Sequence, residues 1–168
     1  NLRGASGRRI ALNGRMVAPG FIDMMAGSSR PLLEDSPSGL SKLRQGITTM
    51  LAGEGMSDAP RNEGPWRTFA EYTRLLEQHG LPLNVVHNGG AAQVRKLVIG
   101  EEDRLPTPAE LEQMKALVDQ AMRDGAVGVS TALIYPPGTY AKTDELVELA
   151  KVAARYGGFY STHMRNES

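Results

Sequence analysis

The chain has 168 residues, 40% hydrophobic and 23% charged, with no cysteine; that suffices for one globular core and excludes disulfides, cysteine-ligated zinc and thiol catalysis within it. Nineteen basic residues balance 19 acidic ones and no Lys/Arg run exceeds two, so neither nucleic acid nor a membrane surface is an expected partner. No apolar run approaches the ~20 residues that cross a bilayer, and the compartment stays open, cytoplasmic or periplasmic, for a disulfide-free chain opening on Asn1.

In chain order, the run from Ile10 to Val17 with Asn13-Gly14 at its middle predicts a hairpin. Residues 1–18 are therefore assigned to the remnant of a small N-terminal β-domain. Strands are expected over residues 20–25, 47–52, 83–87, 126–131 and 159–163, each a short apolar run. A short helix is expected over 37–45. Thr68 with Glu71 is a capping-box signature, followed by Phe69, Tyr72, Leu75 and Leu76 on one face and Gly80 as the stop. Thr107, Pro108 and Glu110 repeat that start, with Leu111, Met114, Leu117, Val118 and Ala121 as the buried stripe and Gly125 as the end. Thr143, followed by Asp144 and Glu145, predicts an N-cap with favourable charge for the helix dipole. Leu146, Leu149, Ala150 and Ala153 supply that helix's apolar face, and Gly157-Gly158 close it.

Helix, glycine, then strand recurs at Gly46, Gly80, Gly125 and Gly157, the pattern of βα units and a parallel sheet. Roughly five strands fall short of the eight strands and about 250 residues of a closed barrel. The expected fold is thus α/β, a partial (β/α)8 barrel of about the first five strands over residues 19–168, with a complete open doubly wound sheet as the alternative. Against that alternative, Gly53-Glu54-Gly55 leads into Met56-Ser57 and not into a Gly-x-Gly-x-x-Gly helix start.

Parallel strands place their C-terminal ends on one rim, where barrels hold metals and substrates. Those ends read Asp23, Glu54, His87 with Asn88, Ser130 with Thr131, and His163. Carboxylate and imidazole suit zinc and similar divalent ions, although loop entrances are polar in any case. His163 stands out because its strand runs straight into Met164-Arg165-Asn166-Glu167. His87 precedes an Asn-Gly-Gly that reads as flexible, and His79 sits in a helix's last turn, where positive charge is favourable without catalysis. The stretch from Ile134 through Tyr135-Pro136-Pro137 to Tyr140 is a stiff loop, either the wall of a substrate pocket or a turn rigidified by proline. Ser130 has no adjacent base in the sequence, which disfavours a serine nucleophile.

These residues resemble a family. Arg15-Met-Val-Ala-Pro-Gly-Phe-Ile-Asp23 is similar to the entry into the first barrel strand of the amidohydrolase superfamily. Ser41-Lys-Leu-Arg-Gln-Gly-Ile-Thr-Thr49, the run from Gly125 to Gly138, Tyr140 to Leu146 and Tyr156 to Glu167 narrow the resemblance to the N-acyl-D-amino-acid deacylases, or D-aminoacylases. The resemblance implies a metal-dependent (β/α)8 barrel with a flanking β-domain, hydrolysing the amide of N-acyl-D-amino acids with a divalent metal, zinc foremost. It implies that His163 is a metal ligand after the fifth strand and that the general-base Asp lies downstream of residue 168. Arg165 is read as a bidentate partner for the substrate carboxylate, with Tyr135 as a second substrate-binding residue. No catalytic residue is expected within these 168 residues, and the chain is read as an N-terminal fragment, inactive and poorly soluble alone.

Two positions depart from the family pattern. Its His-x-His after the first strand is replaced by Met25 and Gly27, and its Gly-Asn-Cys-Gly after the second strand by Gly53-Glu54-Gly55. Glu54 is then either a substitute oxygen ligand or a rim carboxylate without a metal. A non-catalytic or altered-specificity binding protein on the same barrel is the alternative function. A cyclic-amide hydrolase using a carboxylated lysine is disfavoured, because residues 126–131 contain no lysine.

Overall fold

The structure, a computed structural model, describes residues 7, 10–34 and 38–166. Two three-stranded sheets, every pair parallel, are joined along the chain through Asn88. The first holds β1 (Phe21–Asp23), β2 (Ile47–Ala52) and β3 (Asn84–His87); the second holds β4 (Gly89–Gly90), β5 (Gly128–Ala132) and β6 (Phe159–His163). Asn88 alone separates β3 from β4, and hydrogen bonds continue past it. Asn88 N donates to Ala52 O at 2.8 Å, and Val127 N donates to His87 O at 2.9 Å. The strands therefore follow one another in sequence order. The Asn-Gly-Gly expected to be flexible is instead ladder, because Gly89 and Gly90 pair with Val129 and Ser130.

The helices are α1 (Ser38–Arg44), α2 (Phe69–His79), α3 (Ala91–Val98), α4 (Pro108–Arg123) and α5 (Thr143–Ala154). Both capping boxes form: Thr68 accepts from Glu71 N, Thr107 accepts from Glu110 N, and each glutamate returns to its cap's backbone. Each satisfies two amide donors that the first helical turn leaves unpaired. Thr143, however, is the first helical residue of α5; Lys142 is the cap, without a side-chain bond. The expected hairpin reduces to its turn. Arg15 N donates to Leu12 O at 2.9 Å over the left-handed Asn13 and Gly14, and among the described residues no ladder flanks it. Pro37, the expected start of the first helix, lies outside the described residues.

The core sits between the strands and α2 to α5. Phe69, Tyr72 and Leu76 meet Val94, Met114, Val118, Val129, Leu149 and Val152 there, each large aliphatic contributing about 1.5–3 kcal/mol by leaving water. A smaller cluster of Leu32, Met50, Ala52 and Leu83 lies under β2. The outermost strands keep apolar side chains in solvent, Phe21 and Ile22 on β1 and Phe159 and Tyr160 on β6.

Candidate active site

Glu54 follows β2 by two residues, and His163 ends β6. Register brings their strands to a common level: Ala52 aligns with His87, and Ala132 with His163. The Glu54 carboxylate and the His163 Nε2 meet directly, both partly exposed. They open into a cavity of about 290 Å³ walled by Gly55, Met56, Ala92, Ala132, Tyr135 and Pro136. The Tyr135 loop is thus a wall of the space that holds the pair. A second cavity of about 150 Å³ contains Glu54 together with Met25, Asn88, Thr131 and Ser161. Met25 faces this space with a thioether. The buried Asn88 Oδ1 has no hydrogen-bond partner there.

The turn that carries Glu54 is closely built. Gly53 and Gly55 have φ of 92° and 67°, in the region that favours glycine. A Cβ on Gly53 would stand 2.4 Å from Asn88 O, and one on Gly55 would stand 2.7 Å from the Ala132 Cβ. An added Cβ would force the Asn88 backbone to shift at the first place and the Ala132 strand to shift at the second.

Arg165 does not point its guanidinium into the cavity's lining. Nη1 donates to Thr139 O, and Nη2 donates to Ala141 O at 2.8 Å, so the arginine ties β6 to the loop after Tyr135. Asp23, the last residue of β1, is engaged by a side-chain partner of its own. It pairs with Lys42 of α1, and that hydrogen bond holds its carboxyl below the usual range against partial burial.

His87 turns away from Glu54 into the helix layer. Its ring lies against Phe69 and Tyr72, with centroids 5.7 and 5.4 Å away, and Nε2 stands 2.8 Å from Ser29 Oγ. Asp58 anchors this network. It accepts from Ser28 Oγ at 2.8 Å, Ser29 N at 3.0 Å and Tyr72 OH at 3.2 Å. Burial pushes the His87 imidazole down to about 4, opposed by Asp58, and burial pushes the Tyr72 hydroxyl up. With Ser29 wholly inaccessible, the serine, histidine and aspartate form a structural lock between the loops after β1 and β2. Ser29 and Asp58 had no local sequence signal, since their side-chain partners lie 14 or more positions away.

A carboxylate beside an imidazole fits two positions of a zinc-type donor set. Among the described residues no three His, Asp or Glu converge, so Glu54 and His163 would be part of a ligand set and not the whole of one.

No family model matches the chain. It is 36% identical over 176 residues to an N-acyl-D-aspartate deacylase of Alcaligenes xylosoxydans xylosoxydans, covering 95% of this chain and 35% of that protein. Its fold superimposes on the N-acyl-D-glutamate deacylase of Bordetella bronchiseptica, solved with zinc and a phosphonate mimic of the tetrahedral intermediate. The TM-score is 0.81 at 33% identity, over 89% of this chain and 34% of the other. A D-aminoacylase structure that defines a novel subset of amidohydrolases gives 0.77 at 31% identity, over 89% and 35%. The chain spans about a third of the length of the relatives it matches. Over that third, the α/β fold with its parallel sheets is theirs, and the homologues that the chain matches are N-acyl-D-amino-acid deacylases of the amidohydrolase group.

Proposed function

We propose that the protein is a metal-dependent hydrolase of the amide bond in N-acyl-D-amino acids, and that its strands are the first five of a (β/α)8 barrel. The observation that carries the reading is the meeting of Glu54 with His163 at one rim, inside a cavity large enough for a small acyl amino acid. Sequential parallel order and apolar side chains left in solvent on β1 and β6 support a sheet that continues beyond both edges.

In this reading Glu54 and His163 hold a divalent cation, zinc foremost. Such an ion, when bound, supplies Lewis acidity toward an amide carbonyl and acidifies water. Tyr135, Pro136, Met56 and Ala92 wall the substrate and limit water access. Arg165, with two donors committed to backbone carbonyls, serves the substrate by fixing the loop that carries Tyr135. Metal analysis of the full chain, with turnover of N-acetyl-D-amino acids before and after chelation, tests this. Stoichiometric metal and activity abolished by chelator and by His163→Ala are expected. Less than a tenth of an equivalent of any divalent metal would sink the proposal.

One feature favours a second reading, an altered-specificity or non-catalytic binding protein on the same fold. Met25 and Gly27 offer no imidazole where the family pattern has two. Metal-dependent turnover would eliminate it.

A further inference from the structure

We propose that Ser130 is a positioning residue that fixes Glu54 against His163, acting through the backbone of the turn between β2 and α2. Ser130 is almost wholly buried. Its Oγ donates to Gly53 O and accepts from Gly55 N at 3.0 Å, so one hydroxyl brackets the residue between them, which is Glu54. The remaining polar groups of the two glycines are also taken. Gly53 N donates to Gly27 O at 2.6 Å, and Ala92 N donates to Gly55 O at 3.1 Å.

What distinguishes Ser130 from the other partners is its strand. β5 lies beside β6, and Ala132, two residues on, aligns with His163. The same strand therefore holds both members of the pair: Ser130 grips the Glu54 turn, and the ladder sets the level of His163. A turn with two left-handed glycines has many conformations when unrestrained. A hydroxyl that satisfies one donor and one acceptor together selects one of them. Ser130 thereby acts as a gauge between carboxylate and imidazole, with no part in the chemistry itself.

The zinc arm of the test rests on the metal reading above; the exchange arm does not. In the full chain, zinc affinity is measured by chelator competition for wild type, Ser130→Ala, Glu54→Gln and the double variant, with the cobalt(II) absorption spectrum as a geometric signature. Ser130→Ala is expected to weaken zinc at least ten-fold and to reproduce the Glu54→Gln spectrum. The double variant should lose no more than two-fold beyond Glu54→Gln, and Ser130→Thr, which keeps the hydroxyl, should recover most of the affinity. Additive losses, or a Ser130→Ala affinity within two-fold of wild type, would overturn the proposal. Should the substitutions prevent folding, hydrogen exchange of wild type decides: the Gly55 amide must be protected as strongly as ladder amides, and loop-like exchange refutes the bracket. Wild type that binds no zinc defeats the metal reading, and the Gly55 amide then judges Ser130 alone.

Discussion

Ser29 Oγ lies 2.8 Å from His87 Nε2 inside a network closed to water, and this makes stability depend on pH. Unfolded, the imidazole titrates near 6.5; folded, burial lowers it to about 4, while Asp58 opposes the shift and Tyr72 faces the ring as a neutral phenol. Between those values the unfolded chain binds the extra proton. Stability therefore falls as pH drops through that window and gains nothing from this group above 6.5. The full effect is about 3 kcal/mol. Urea unfolding at pH 7.5 and 4.5 should show the loss in wild type and a much shallower one in His87→Gln. Parallel slopes would place the sensitivity elsewhere.

Arg95 and Glu145 form a second buried link, 2.5 Å apart between α3 and α5, with both side chains excluded from solvent. Arg95 also donates to the Glu102 and Arg104 carbonyls. Removing one partner leaves an uncompensated charge in the core, so Glu145→Ala should cost about 3–5 kcal/mol. Replacing both, as Arg95→Met with Glu145→Leu, should recover much of that loss in denaturant melts. A double variant as unstable as the single would show that the carbonyl contacts dominate.

What the sequence revealed was local or periodic. Thr68 with Glu71 and Thr107 with Glu110 are three positions apart, and both boxes formed. That Glu54 and His163 would meet at one rim was legible because parallel strand ends share it, although 109 positions separate them. α3 was not legible. Its cap is Gly90, without a side-chain bond, and it buries Arg95 where an apolar residue is the usual signal. The direction of His87 was equally hidden, because only Ser29, Phe69 and Tyr72, brought from distant segments, draw the ring into the helix layer. Asp23 counts among the polar groups at the strand ends, and nothing local in the sequence shows that Lys42, 19 positions on, engages it.

Gly53→Ala tests how tightly the Glu54 turn is built. The new methyl would meet Asn88 O at 2.4 Å with φ at 92°, combining left-handed strain with overpacking. A loss of about 2–4 kcal/mol is expected from those two costs. Gly100→Ala, also left-handed but with open space around it, should lose only about 1 kcal/mol. Equal losses at the two glycines would mean that crowding at Gly53 is relieved by movement.

Arg165 offers a choice between two roles that one experiment separates. If its guanidinium fixes the loop, hydrogen exchange over residues 133–141 should speed up in Arg165→Ala without any substrate present. The Thr139 and Ala141 carbonyls that it serves lie in that segment. Arg165→Lys should fall between, since an ammonium lacks the planar fork that reaches two carbonyls together. If the arginine instead grips a substrate carboxylate, substrate-free exchange should stay at the wild-type rate while KM alone rises. Loosening of the loop would also lower kcat, because Tyr135 would no longer hold the wall of the Glu54–His163 cavity.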